Sequence, residues 1–199
     1  MAKLHFRYGA MNAGKTTILL QTAHNYEERN QKVIIIKPKI DTKGEDNITS
    51  RIGLARKVDI LLGEEDSILE KLEKYGYDIN CILVDEAQFL KEKQVDELFY
   101  ITKLYDIPAI TFGLRTDFKT NGFEGALRLL SLADEIEEMP TICRCGRKAR
   151  FNARLIDDIF QTEGESIVID DGKKVEYEAV CGTCYVKKME EVKTKKIAK

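Results

Sequence analysis

Residues 9–16, Gly9-Ala10-Met11-Asn12-Ala13-Gly14-Lys15-Thr16, fit G-x-x-x-x-G-K-[ST] without exception, and no other stretch constrains the fold as tightly. The pattern requires a strand that turns sharply into a helix. Residues 3–8 alternate well enough for that strand, and residues 15–29 carry helical spacing. In such a turn the glycines let the backbone come close to a phosphate, while main-chain N–H groups and the positive helix end face it. Lys15 is then placed to neutralise β and γ phosphates, and the Thr16 hydroxyl to ligate Mg²⁺. All eight residues are candidates for binding a nucleotide.

The remaining chain supplies partners for that unit. Unbroken apolar runs at residues 33–36, 81–84 and 109–112 read as strands buried on both faces, and helical patterns fall at 66–75, 92–105 and 125–133. The alternation predicts an α/β fold of P-loop NTPase type, a mostly parallel sheet flanked by helices. With 199 residues, 43% of them hydrophobic, the chain can bury one main core and a small appendage. The alternation stops at Pro140, so residues 1–139 are expected to form the P-loop domain and residues 140–190 a second, small unit. Residues 191–199, which include Lys193-Thr194-Lys195-Lys196, read as a charged tail without fixed structure. Residues 41–56, with Gly44, Asn47 and Gly53, read as a loop leaving the C-terminal end of a strand, where open α/β sheets bind ligands.

Charge narrows the function classes. Lys plus Arg total 32 against 34 Asp plus Glu, a formal net charge of -2, which argues against a globally basic coat for nucleic acid. The aliphatic runs fall far short of the ~20 residues of a membrane helix. Met1 leads straight into polar alternation, so a soluble cytoplasmic protein with no membrane partner is expected.

Cys81-Ile82-Leu83-Val84-Asp85-Glu86 places two carboxylates at the tip of a buried strand. Asp85 would hold magnesium, directly or through water. Glu86 would serve as a base toward whatever attacks the γ-phosphate, water in an ATPase or an alcohol in a kinase, and the motif alone does not choose. A surface carboxylate that contributes only charge is the plainer alternative for Glu86.

Five cysteines without a secretion signal argue for thiols rather than disulfides. Cys81 sits in an apolar run and reads as core. Cys143-Arg144-Cys145 and Cys181-Gly182-Thr183-Cys184 bring two thiol pairs together, and a structural Zn²⁺ held by all four is expected, since neither His5 nor His24 is near in sequence. The single residue between Cys143 and Cys145 is tighter than usual, which leaves incidental buried cysteines as the alternative. Arg144, Arg147, Lys148, Arg150 and Arg154 give the first arm the look of a zinc ribbon that grips nucleic acid. Glu163, Glu165, Asp170, Asp171, Glu176 and Glu178 in the second arm would repel a phosphate backbone, so the arms are expected to pair with each other as a hairpin.

Taken with Asp85-Glu86-Ala87-Gln88-Phe89, Phe112-Gly113-Leu114-Arg115-Thr116-Asp117-Phe118 followed by Phe123, Thr141-Ile142-Cys143, and Tyr177 ahead of Cys181, these motifs make nearly the whole chain resemble the type II thymidine kinase family. That family joins a P-loop domain to a zinc-anchored lasso. The resemblance implies transfer of the ATP γ-phosphate to the 5′-hydroxyl of thymidine, giving dTMP and ADP for DNA precursor synthesis, with Mg²⁺ and structural Zn²⁺. It implies that Glu86 accepts the hydroxyl proton, that Asp85 and Gln88 join the ATP-binding group, and that Thr16, Asp85 and Asp41 serve magnesium. It further implies an apolar nucleoside slot of Met11, Phe89, Leu114, Phe118 and Phe123. Asn152, Val168 and Tyr177 fall where the lasso's base-contacting side chains lie, the base edge being read largely by main-chain amides. A homotetramer, inhibition by dTTP and no nucleic-acid partner are implied in the same way. The chain departs from the family at Asp41-Thr42-Lys43, where many members have Asp-x-Arg; Lys43 lacks the planar fork, and Arg51 is a substitute. Asp170-Asp171-Gly172 also replaces an Ile-Gly-Gly-like turn. Two rivals stand beside this reading: an ATPase whose zinc ribbon binds single-stranded nucleic acid, and a kinase of another nucleoside.

Overall fold

Strand β1 (Leu4–Tyr8) turns into helix α1 (Lys15–Glu27) and returns through β2 (Val33–Pro38). A short hairpin, β3 (Asn47–Thr49) and β4 (Ala55–Lys57), precedes β5 (Ile60–Leu62). Helix α2 (Ile68–Glu73) then leads to β6 (Cys81–Val84), α3 (Glu92–Leu104) to β7 (Ala109–Gly113), and α4 (Glu124–Leu132) to β8 (Glu135–Glu138). In this computed structural model, which describes residues 1–41, 46–165 and 174–197, the central sheet has six strands in the order β5-β2-β6-β7-β1-β8. Every pairing in it is parallel. Strand β7 therefore lies between β1 and β6, and the C-terminal ends of all three open on one edge of the sheet.

The apolar runs are unbroken because both faces are covered. Successive side chains of a strand point to opposite faces. Val33 and Ile35 of β2, with Cys81 and Leu83 of β6, share a core with Leu19, Leu20 and Ala23 of α1. Their neighbours Ile34, Ile36, Ile82 and Val84 belong to the opposite core, with Leu72 of α2, Val95, Leu98 and Ile101 of α3, and Leu129 of α4. Cys81 is fully buried, and burial pushes its thiol pKa up to about 12, so it is packing rather than chemistry.

Three segments differ from the sequence expectation. Strand β8 carries no apolar run because it is an edge strand, with three of its four residues exposed. The described part of residues 41–56 is not simply loop but the β3–β4 hairpin, closed by Ser50, whose Oγ accepts from Leu54 N–H at 3.1 Å. The third is the charged C-terminal end. There α5 (Gly182–Ile197) runs through the lysine-rich stretch, so what was expected as an unstructured tail is helical as far as residue 197. An ion pair at 2.8 Å between Glu190 and Lys193 supports that turn.

Between the sheet and α5 the chain forms β9 (Thr141–Ile142) paired with β10 (Lys148–Ala149), then β11 (Phe151–Ile156) flanked by β12 (Ile159–Phe160) and β13 (Val175–Val180). The antiparallel pairing of β11 with β13 is the hairpin of basic and acidic arms. Cys143, Ala149, Ala153, Phe160, Val180 and Tyr185 make a third core there, and Ala10 of the glycine turn is part of it. Among the described residues no helix is long and apolar enough to cross a membrane.

Candidate active site

The glycine turn is built as its sequence demands. Gly14 adopts φ +74°, a left-handed conformation that glycine tolerates, immediately before the first turn of α1. A Cβ on Gly9 would fall 2.7 Å from the Met139 carbonyl oxygen, so the close approach of β1's end to residue 139 needs glycine. Lys15 is buried, and its ammonium donates to the carbonyls of Gly9 at 3.0 Å and Ala10 at 3.1 Å. Burial lowers its pKa, opposed by the carboxylates of Glu86 and Asp85.

Asp85 and Glu86 leave β6 opposite this turn. Thr16 Oγ1 donates to Asp85 Oδ2 at 3.1 Å. Asp85 is buried, and its pKa is pushed up to about 7, first by desolvation and then by the adjacent Glu86 carboxylate. Two oxygens at that separation suit a small octahedral cation, for which ~2.1 Å bonds place neighbouring ligands about 3.0 Å apart. Glu86 itself has φ +49°, strained for a residue with a side chain, and its Oε2 accepts from Gln88 Nε2 at 2.6 Å. Gln88 Oε1 accepts in turn from Leu114 N–H at 2.9 Å. Gln88 was expected among the ATP-binding residues; it is buried at 2% exposure, with its amide spent on Glu86 and on the end of β7. Asp41, expected beside the magnesium, forms an ion pair with the buried Lys37 at 3.1 Å.

The expected nucleoside residues divide into two groups. Met11 and Tyr177 line a cavity of about 470 Å³, with Asn12, Arg51, Thr141 and Arg144 also in its wall. Phe89, Leu114, Phe118 and Phe123 do not line it. Phe89 and Phe123 meet edge to face at 5.5 Å, Leu114 is tied to Gln88, and Phe118 lies under the Arg154 guanidinium, 3.5 Å from its ring centre. Asn152 is buried, and its Oδ1 accepts from Met11 N–H at 2.8 Å, so this side chain fastens β11 to the glycine turn. Val168 and Lys43 lie outside the described residues. Arg51 stands near enough to Lys15 to oppose its charge.

The four thiol sulphurs of Cys143, Cys145, Cys181 and Cys184 lie within 4.8 Å of one another, with 3.6 Å between those of Cys145 and Cys181. Tetrahedral bonds of ~2.3 Å set sulphurs about 3.8 Å apart, so the quartet fits one such ion. The tight Cys143–Cys145 spacing is accommodated by a turn in which Cys143 N–H donates to the Arg147 carbonyl at 2.8 Å. Cys181 sits at the start of α5, where the main-chain N–H of Cys184 draws its pKa down to about 6. The basic arm is largely engaged within the chain. Arg144 pairs with Glu178 at 2.8 Å, Lys148 and Arg150 pair with Glu138 at 2.6 and 3.3 Å, and Arg154 is buried.

Comparison with known proteins agrees with this geometry. The family profile described as Thymidine kinase matches residues 2–185. A thymidine kinase of Mannheimia succiniciproducens is 44% identical over 186 residues, covering 91% of this chain and 93% of that protein. The thymidine kinase of Enterobacteria phage T4 is 45% identical over 175 residues, covering 86% of this chain and 90% of its own. That of Chromobacterium violaceum is 44% identical over 186 residues, covering 93% of this chain and 98% of its own. A match along nearly the full length, with the glycine turn, the Asp85-Glu86 pair and the cysteine quartet all inside it, means that the chain belongs to the thymidine kinase family.

Proposed function

We propose that the chain is an ATP-dependent thymidine kinase, with Mg²⁺ accompanying ATP and Zn²⁺ held by the four cysteines. The observation that carries the reading is the Glu86 carboxylate, held by Gln88 at 2.6 Å and directly following the Asp85 that bonds Thr16. A base fixed beside the phosphate site can take the proton of the 5′-hydroxyl while that oxygen attacks the γ-phosphorus. The bond from phosphorus to the bridging oxygen breaks as the new one forms, and ADP leaves. Main-chain N–H groups of residues 9–16 and the Lys15 ammonium stabilise the charge on the transferring group. Thr16 and Asp85 would hold magnesium, which would supply charge neutralisation at the phosphates. Transfer to an alcohol rather than to water requires a covered site. The Asn152 bond to Met11 sets the lasso strand against the glycine turn, which is the kind of cover required.

On this reading residues 1–139 carry the chemistry and residues 140–190 form the zinc-tied cover. The family resemblance adds a cytoplasmic homotetramer restrained by dTTP. The nucleic-acid reading loses its main support, because the basic arm is engaged with Glu138, Glu178 and the interior.

The test incubates the purified protein with ATP, Mg²⁺ and each nucleoside separately and follows monophosphate formation. Thymidine is expected to turn over, and Glu86→Gln to keep ATP binding while losing transfer by about 10²–10⁴-fold. Hydrolysis stimulated by DNA with no thymidine product would favour the rival ATPase. Near-normal turnover in Glu86→Gln would remove that residue from its role.

A further inference from the structure

Arg154 is among the largest fully buried side chains of the protein, at 1% exposure. Burying a guanidinium is costly unless its environment is built for it. Here its guanidinium carbon lies over the ring of Phe118, 3.5 Å from the centroid. Nη1 donates to the Glu165 carbonyl at 2.5 Å and Nη2 to the Glu163 carbonyl at 3.2 Å. The carbonyl between them, that of Gly164, accepts from Lys119 Nζ at 2.9 Å, and Lys119 directly follows Phe118. Three successive carbonyls are thus held by cations placed about one phenylalanine. The fit is close: a Cβ on Gly164, whose φ is +112°, would lie 2.7 Å from Arg154 Nη2. Phe118 is fixed from another side, since its own carbonyl accepts from the Tyr185 hydroxyl at 2.8 Å, one residue beyond Cys184. Arg154 Nε, by contrast, has no partner among the described residues, so the stack and the two carbonyls set the side chain's place.

We infer that Arg154 is a positioning residue for nucleoside binding: its guanidinium seats residues 163–165, which follow β12, on Phe118. The inference rests on the thymidine kinase reading and assigns part of its substrate affinity. Lysine cannot replace it, because a point charge has no plane to stack and cannot serve two carbonyls in a fixed fork. Among the described residues Arg154 makes no hydrogen bond to the glycine turn, so the effect is assigned to thymidine rather than to ATP.

The test measures KM for thymidine and for ATP in the wild-type protein, Arg154→Ala, Arg154→Lys and Gly164→Ala, with zinc content determined on each. Both Arg154 variants are expected to raise the thymidine KM by about tenfold or more, with the ATP KM within about twofold and zinc retained. Gly164→Ala leaves Arg154 in place but displaces its fork, and is expected to raise the thymidine KM by about threefold or more. Should Arg154→Ala fail to fold, the other two variants decide. An unchanged thymidine KM in folded Arg154→Lys and Gly164→Ala, or equal rises for both substrates, would overturn the inference and leave a merely structural residue. Absence of thymidine turnover in the wild-type protein would overturn the kinase reading itself.

Discussion

Gln88→Ala separates a residue that holds the base from one that holds ATP. The substitution removes the Nε2 bond to Glu86 at 2.6 Å and the acceptor of Leu114 N–H at 2.9 Å. Leaving that buried N–H unpaired and truncating the side chain together cost about 2–4 kcal/mol of stability, which a domain of about 5–15 kcal/mol survives. The bond to Glu86 is charge-assisted, and such bonds contribute about 1.5–3 kcal/mol. If that energy serves to aim the carboxylate, its loss lowers kcat by about 10- to 150-fold. Because Gln88 faces Glu86 and β7 rather than the glycine turn, the ATP KM should change by less than about threefold.

Steady-state kinetics of Gln88→Ala, Glu86→Gln and the double variant form the assay. If Gln88 acts through Glu86, the Gln88→Ala change should add almost nothing to the loss in a Glu86→Gln background. Additive losses, or a rise in the ATP KM with kcat preserved, would refute the reasoning and return Gln88 to the phosphates.

Asn152→Ala should raise the ATP KM by about two- to tenfold by freeing Met11 N–H, whereas Asn152→Asp keeps an acceptor and should stay near wild type; equal behaviour of the two in nucleotide titrations would dissociate this bond from ATP binding. Cys143→Ser should cut bound zinc from about one per chain and lower the melting temperature, as metal analysis and calorimetry would report. Full zinc occupancy in that variant would exclude Cys143 as a ligand. Arg51→Gln should raise the ATP KM by about tenfold with zinc unchanged, since Arg51 lines the same cavity as Met11 and lies within electrostatic reach of Lys15. An unaltered ATP KM would remove Arg51 as the substitute for the family's arginine.

What was legible in the sequence is what is contiguous along it. The glycine turn needs only eight neighbouring residues, and the Asp85-Glu86 tip needs only the four apolar residues before it, so periodicity and motif reached both. The strands of the central sheet were visible where two-sided burial left an unbroken apolar run, as at residues 33–36. Strand β8 escaped because Glu135, Ile136 and Glu137 are all exposed on an edge, where no hydrophobic period is required. The links that set the site's geometry join distant residues: Met11 to Asn152 across 141 positions, Leu114 to Gln88 across 26, and Lys119 to Gly164 across 45. No local pattern encodes such a pairing. Arg154 is the clearest case, since five basic residues in eleven positions look like one charged surface. Arg144 is 87% exposed and salt-bridged, whereas Arg154 faces inward from β11 onto a ring 36 residues earlier in the chain. Charge in a sequence gives the sign of a side chain but not which side of a strand it leaves. For β11 that choice follows from its register between β12 and β13 and from the contact of one face with Phe118, and both exist only once the chain has folded.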